Sequence, residues 1–598
     1  MGTWPHAKHL RNLYVYFWRW AAWKVFGGDP FFSGSREAPP ADWTYRRGIV
    51  CFITVSGFLN GPGFAKMRAD LRRDADHIWV IDCSPEGHQP PVSSRIFQGV
   101  QQPVCIVMAA RRDSKRDGGP AKVCWRSLPE GDRAAKFAAL AALRLDDDGW
   151  TLAPEDPRAP FLPAGAAEWV GYPALEELFS YNGSGVMTGR TWVIAPDAQS
   201  LRARWKALVE ENDPKRKAEL FHPHLRNGEP GDKHVDKLVK EGLGSLAHRA
   251  VAVAKDSGPA INPVRYAFRS FDRQWIIPDA RLMNQPNPGL WHAWSGKQAH
   301  LTAPHDRSPT AGPALTISTF VPDLHHYHGR GGRVFPLWAD AAASTPNMPP
   351  ALLAKLALEY GRPVGAEDLF AYVAAVAAHP AYTERFRGHL KQPGLRIPIT
   401  ADRQLFEQAV EVGREVVWLH SFGERFAEGR PAGAPRVEPK EAEPTIPADG
   451  ALPKRLADMP HELDYDAAER KLKIGTGFVA NVSKAVWDYE VSGKNVLRQW
   501  WSYRRLDRSK PPMGDKRPPS DLVKIQPEEW LPEYTTELLA VLRVLTRLVA
   551  LEPRQADLLD RIVASPTIDS DELRQAGSLN ETAVGATPEE GEVEGEDD

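Results

Sequence analysis

Apolar residues recur at three- and four-residue spacing in several parts of the chain, and each run predicts a helix with one buried face. Val496, Leu497, Trp500 and Trp501 form the most informative run, leaving Arg498, Ser502 and Arg505 on the opposite side, with Ser492 placed to cap the helix. Leu538, Leu539, Val541, Leu542, Leu545 and Leu548 make a longer stripe that predicts a C-terminal helix over 534–551. Helices are also expected at 134–143, 351–357 and 369–378, and one opened by Gly61-Pro62-Gly63 should carry Phe64, Met67 and Leu71 on one face. Leu13–Phe26 is apolar almost all round, which asks for burial inside a domain. It is too short to cross a bilayer and is interrupted by Arg19 and Lys24.

Strand patterns stand at 48–55, 77–81 and 104–109, with 122–126 expected to pair beside the last of these. Strand, helix, strand and a late hairpin fit one half of an open α/β sheet. Further short strands are expected at 191–195, 275–277, 315–320 and 470–474. The organisation that follows is 1–115 as an α/β unit, 116–174 as a connector and 175–345 as a first lobe. After these come a helical spacer (346–430), a Pro-, Ala- and Glu-rich linker (431–455), a second lobe with the C-terminal helix (456–575) and an acidic tail (576–598).

Charge changes this picture in one place. The formal net charge of the 598 residues is −2, but the tail holds eight acids and no Lys or Arg, so the rest stands at +6. That surplus is mild, so an anionic partner would be held by a local patch. The stretch from Trp487 to Lys510 is the densest candidate, with five aromatics and six basic groups against three acids. A tryptophan-anchored helix presenting guanidinium groups suits phosphates and base edges. A core helix whose basic face meets water is the alternative reading of the same pattern.

Other chemistry is sparse. Cys51, Cys83, Cys105 and Cys124 form no C-x-x-C pair, and Cys51 and Cys105 sit in apolar runs that suit core residues. No metal site is expected. His325, His326 and His328 lack ligand spacing and suit hydrogen-bonding or phosphate-facing roles. The glycine-rich loop 182–190 lacks the Gly-Lys-Ser/Thr ending of a P-loop and reads as a turn. Gly-x-Ser-x-Gly is absent, and no catalytic residue is assigned.

Several ordered motifs carry a resemblance. Leu13 to Ala21, Phe52 to Leu59, Met67-Arg68-x-x-Leu71-Arg72, Ile81-Asp82 and Arg95 to Pro103 resemble the second half of an N6-adenine DNA methyltransferase domain. Leu369 to Tyr382, Pro460 to Tyr465 and Trp487 to Met513 resemble the C-terminal specificity region of type ISP restriction-modification enzymes. The resemblance implies a mixed α/β and α+β fold, with a partial Rossmann-like methyltransferase sheet followed by a two-lobed target recognition region and a helical spacer.

It also implies double-stranded DNA as partner, S-adenosylmethionine as methyl donor and a role in phage defence; a cytoplasmic setting without a membrane is expected by default from the scattered cysteines. In such enzymes one chain carries nuclease, motor, methyltransferase and target recognition domain. The Asn/Asp-Pro-Pro-Tyr/Phe motif and the cofactor loop have no counterpart here; Asp29-Pro30-Phe31 stands after the first helix and lacks one proline. Cofactor binding and methyl transfer by this chain alone are therefore not expected. Either an upstream chain supplies the rest of the methyltransferase, the nuclease and the motor, or the chain is a truncated remnant. The alternative is a non-enzymatic DNA-binding or assembly protein derived from such an enzyme. On the first reading Arg498, Trp501, Tyr503, Arg504, Arg505, Arg508 and Lys510 contact DNA, joined by Arg190 and Arg330 from the first lobe.

Overall fold

The computed structural model describes residues 13–27, 46–59, 64–86, 92–100, 102–112, 119–163, 169, 171–222, 225–226, 229–230, 235–304, 309–327, 332–390, 394–427, 442–506 and 520–580. The chain divides into two compact units, Met1–Val170 and Gly171–Asp598. Asp29-Pro30-Phe31, His328, Arg330, Arg508, Lys510 and most of the acidic tail lie outside the described residues.

In the first unit α1 (Leu13–Phe26) is followed by β1 (Gly48–Val55), α2 (Ala65–Asp74), β2 (His77–Asp82), β3 (Val104–Arg111), β4 (Lys122–Ser127), α3 (Arg133–Ala142) and β5 (Thr151–Leu152). Among the described residues the strands form one mixed sheet in the order β1-β3-β2-β4-β5. β3 runs antiparallel to both neighbours, with Gly48 opposite Arg111 on one side and His77 opposite Ala110 on the other. The expected pairing of β4 beside β3 is replaced by a parallel pairing with β2, His77 opposite Lys122. Strand order is set by contacts distant in sequence, so an apolar run alone does not reveal its neighbour.

The core gathers Trp18, Ala22 and Phe26 of α1 with Val50, Phe58, Leu71, Ile78, Val80 and Val107. The helix at 65–74 buries Phe64, Met67 and Leu71, the face its spacing predicts. Two expectations change. α1 buries one stripe, while Leu13, Tyr16, Phe17 and Trp20 are exposed. Cys105 is buried as expected, but Cys51 is exposed, because β1 is an edge strand whose second face, with Ile49 and Ile53, is open.

The stretch expected as a connector belongs to this unit: it supplies β4, α3 and β5 and buries Phe161. Two buried arginines hold it. Arg68 donates to the carbonyls of Phe58 (2.9 Å) and Ala159 (3.1 Å). Arg72 donates to those of Pro154 (3.0 Å), Ala159 (2.7 Å) and Pro160 (3.1 Å). Burial lowers both guanidinium pKa values to about 10.

The second unit contains β6 (Gly183–Ser184), β7 (Ile194–Ala195), α4 (Ala198–Glu210), β8 (Val264–Arg269), β9 (Asp272–Ile276), β10 (His300–Ala303), β11 (Thr316–Ser318) and β12 (Arg333–Pro336). Its described strands build small antiparallel sheets, β8-β9-β7 and β11-β10-β12-β6. Two helices follow where their spacing predicts them, α5 (Pro350–Tyr360) and α6 (Ala366–Ala377), and α7 (Arg403–His420) lies in the same stretch read as helical. The segment expected as a spacer is core. Every residue of α6 except Glu367 and Asp368 is buried, and a Cβ added to Gly413 of α7 would stand 1.8 Å from the Ala371 carbonyl oxygen. Asp402 caps α7 by accepting from Leu405 N at 3.0 Å.

A three-stranded sheet of β13 (Asp464–Asp466), β14 (Lys471–Ile474) and β15 (Gly477–Val479) precedes a hairpin, β16 (Glu490–Val491) and β17 (Lys494–Asn495). Then come α8 (Val496–Ser502) and α9 (Pro532–Ala564). α9 passes through Pro553 and outruns its expected end at residue 551, because Leu558, Leu559 and Ile562 continue the buried stripe.

Candidate nucleic-acid interface

The aromatic and basic segment folds as a turn, a hairpin and a short helix. A four-residue helix, Lys484–Trp487, is capped by Ser483, which accepts from Val486 N at 3.3 Å. β16 and β17 then pair Glu490 with Asn495 and Val491 with Lys494 around the turn Ser492-Gly493. Both turn residues have positive φ, 47° and 77°, the two-residue geometry that matches strand twist. Ser492 therefore makes the turn, and Asn495 takes the capping role expected of it, accepting from Arg498 N at 2.9 Å. The hairpin tip is pinned to the loop before β11: Ser492 N donates to the Ala311 oxygen at 2.7 Å. Gly312, with φ 73°, lies so close to the Glu490 carbonyl that a Cβ would stand 2.0 Å from its oxygen.

The buried face of α8 is the one its spacing predicts: Val496, Leu497, Trp500 and Trp501 are all buried. Its consequence for the nominated DNA contacts is a correction. Trp501 packs on Trp530 with ring centroids 5.1 Å apart and donates its indole N–H to the Pro460 carbonyl at 3.2 Å. That commitment leaves it no face for DNA.

Arg504 is fully buried. Its Nη2 reaches Asp272 Oδ1 at 2.8 Å and Glu537 Oε2 at 3.1 Å, its Nη1 donates to the Trp500 carbonyl at 2.9 Å, and its guanidinium lies 3.8 Å from the centre of the Trp500 ring. Burial alone would lower its pKa, but the carboxylates of Asp272 and Glu537 outweigh that and hold it above the usual arginine value. Arg265 extends the knot, bonding Glu537 Oε1 at 2.5 Å and Glu533 Oε1 at 2.7 Å. This network ties β8, β9, α8 and α9 together and is occupied with protein partners.

Arg190 is also interior. Its Nη1 donates to the carbonyls of Thr188 (3.3 Å) and Leu282 (3.2 Å) and to Asn284 Oδ1 (3.2 Å), and burial lowers its pKa to about 9. The glycine-rich loop that leads to it is packed against protein: Cβ atoms on Gly185 and Gly189 would strike the Asp323 backbone at 2.4 Å and the Asn284 side chain at 2.0 Å. These glycines serve close packing and leave no room for a phosphate.

Tyr503 and Arg505 are half-buried, and the Tyr503 ring meets Phe268 edge-on at 4.9 Å. Arg498 is exposed. Its guanidinium sits 5.0 Å from the Trp487 ring centre, and Trp487 in turn stacks on Tyr465 at 5.3 Å with the planes 16° apart. Lys494, which sequence reasoning passed over, is exposed on β17 beside it. Arg330, Arg508 and Lys510 lie outside the described residues.

His326 of the histidine motif turns inward as well. His326 is buried with Nδ1 2.9 Å from Thr302 Oγ1, and burial first, then Arg269, lowers its pKa to about 3. His300 and His420 are equally buried and likewise lowered to about 3. Among the described residues no group of three His, Cys, Asp or Glu side chains could hold a metal ion. None of the described helices is long and apolar enough to cross a membrane.

Comparison with known proteins adds the family. The chain has no match among curated proteins. Solved structures with the same fold include a DrdV–DNA complex (TM-score 0.55, 18% identity, covering 93% of this chain and 52% of that one). A nuclease-deletion mutant of the Type ISP restriction-modification enzyme LlaGI with a DNA substrate mimic also matches (0.55, 17%, 92% and 40%). A third is the ATP-dependent Type ISP restriction-modification enzyme LlaBIII bound to DNA (0.58, 13%, 93% and 34%). The chain thus spans about a third to a half of the length of these neighbours. The family model "Type ISP C-terminal specificity domain" matches residues 177–540, more than half of the sequence, and the chain belongs to that family.

Proposed function

We propose that the second unit recognises a DNA target sequence for a type ISP-like adenine methylation and restriction system. The observation that carries this is the match of the specificity-domain family over residues 177–540. The hairpin and α8 support it, since they present Arg498 and Lys494 outward from a helix anchored by buried tryptophans. The test is selection of the full chain against a pool of duplexes with a randomised centre. Enrichment of a defined sequence, with affinity that falls steeply as salt rises, is expected. A pool that emerges as random as it entered would refute the reading.

The first unit we take as part of the methyltransferase, with β3 antiparallel between two parallel strands joined through α2. Binding of S-adenosylmethionine by this chain alone is not part of this reading, because the sequence has no counterpart to the cofactor loop of the methyltransferases it resembles. The turn Ser56–Leu59 after β1 sends Phe58 and Leu59 into the core. Methyl transfer on this reading needs a partner polypeptide that supplies the catalytic motif and the cofactor loop. Among the described residues the unpaired edge of β1 and the exposed Tyr16, Phe17 and Trp20 of α1 offer it a docking face. Leaving such side chains in water forgoes about 1.5–3 kcal/mol each.

A further inference from the structure

We propose that Arg498 reads a guanine edge in duplex DNA and that Trp487, backed by Tyr465, is the positioning residue that holds its guanidinium for that contact. This rests on the target-recognition reading above and adds the reading group, the base and the residue behind it.

The backbone of Arg498 is fixed from both sides. Asn495 accepts its N–H at 2.9 Å, and the four apolar residues of α8 anchor the helix in whose first turn it lies. Upstream, the hairpin is pinned by the Ser492–Ala311 bond, and Val496 N closes onto the Tyr489 carbonyl at 3.0 Å. Asn495 Nδ2 also donates to the Trp487 carbonyl at 2.6 Å, so the cap of α8 and the stacking residue are joined directly.

The side chain is fixed by stacking. Trp487 meets both neighbours, its ring centre 5.3 Å from that of Tyr465 and 5.0 Å from the Arg498 guanidinium lying over it. Tyr465 is itself held, its hydroxyl donating to the Val482 carbonyl at 2.9 Å. The neighbouring acid Asp488 is engaged by Lys484, and Arg498 makes no ion pair among the described residues. Stacking uses the face of the guanidinium and leaves its donor edge to solvent.

A planar pair of N–H donors matches a pair of acceptors, which guanine offers as O6 and N7 in the major groove. A guanidinium already lying on an aromatic plate loses less freedom on binding than an unsupported one, so the arrangement favours discrimination. Lys494 lies over no aromatic ring among the described residues and suits a phosphate, whose recognition needs charge without planar geometry.

The full chain, selected against duplexes with a randomised centre, should enrich a sequence containing guanine at one position that Arg498→Lys, which keeps the charge and loses the planar fork, depresses on the order of tenfold. Trp487→Leu should weaken preference at that same position, and Trp487→Phe should restore it. Lys494→Ala should lower affinity for all sequences alike. Replacing that guanine by 7-deazaguanine should weaken the wild-type chain more than Arg498→Lys, which lacks the planar fork that matches N7 and O6 together. If the wild type enriches a sequence that Arg498→Lys enriches unaltered, or binds the 7-deaza duplex equally well, this assignment is overturned while target recognition stands. If the wild type enriches nothing, both fall together.

Discussion

Two arginines six positions apart, Arg498 and Arg504, show how the same residue type in one basic segment takes opposite roles. Arg504 is surrounded by Asp272, Glu537 and the Trp500 ring and has no access to solvent. Arg498 is exposed, with its guanidinium 5.0 Å from the centre of the Trp487 ring. The difference teaches that cationic density in a sequence does not measure a surface. A buried guanidinium needs carboxylates brought from elsewhere in the fold, whereas an exposed one needs just a neighbour to orient it.

The interior polar groups should dominate stability, and acid is the largest lever on them. His300, His326 and His420 have folded pKa values near 3 and His379 near 4, below the unfolded value of 6.5, because burial penalises the charged ring. The unfolded chain therefore binds these protons first. Stability is intact above pH 6.5 and falls as pH drops toward 3–4, by about 1.4 kcal/mol per pH unit for each histidine. Urea unfolding at a series of pH values should show this slope, and a flat profile from pH 6.5 to 5 would contradict the buried, neutral assignment.

Arg504→Ala comes next. It strands the Asp272 and Glu537 carboxylates in the core and should cost about 3–5 kcal/mol in chemical denaturation. Arg498→Ala should sharpen the contrast by changing stability within about 0.5 kcal/mol while altering target choice. Equal destabilisation by both substitutions would erase the distinction drawn between them. The smallest effect is expected of Lys494→Ala, which should reduce the slope of log affinity against log salt by about one while leaving sequence preference intact.

Local pattern made part of this legible. The spacing of Val496, Leu497, Trp500 and Trp501 identified the buried face of α8, and the stripes of α2 and α9 were equally readable. The capping residue was not, because Ser492 and Asn495 are both good caps and the choice was settled by the hairpin that Ser492-Gly493 turns. The fate of each arginine was hidden for a different reason. Asp272 and Glu537 lie 232 and 33 residues from Arg504, so the pairing that removes it from the surface is invisible in any window. Pairing of β4 with β2 and the openness of β1 are likewise tertiary facts. Trp487 was visible as an aromatic in a basic stretch, but its stacking between Tyr465 and Arg498 depends on the return of the chain from β13.

The Arg504 knot also bears on how specificities could be exchanged between proteins of this fold. Its charges come from β9, from the end of α8 and from α9, so a graft of residues 464–506 alone would deliver its arginine to whatever carboxylates the host keeps at 272 and 537. The workable unit of exchange is therefore discontinuous. A chimera that moves the hairpin and α8 must bring along β9 and the first turns of α9, or else retain the host's own arginine.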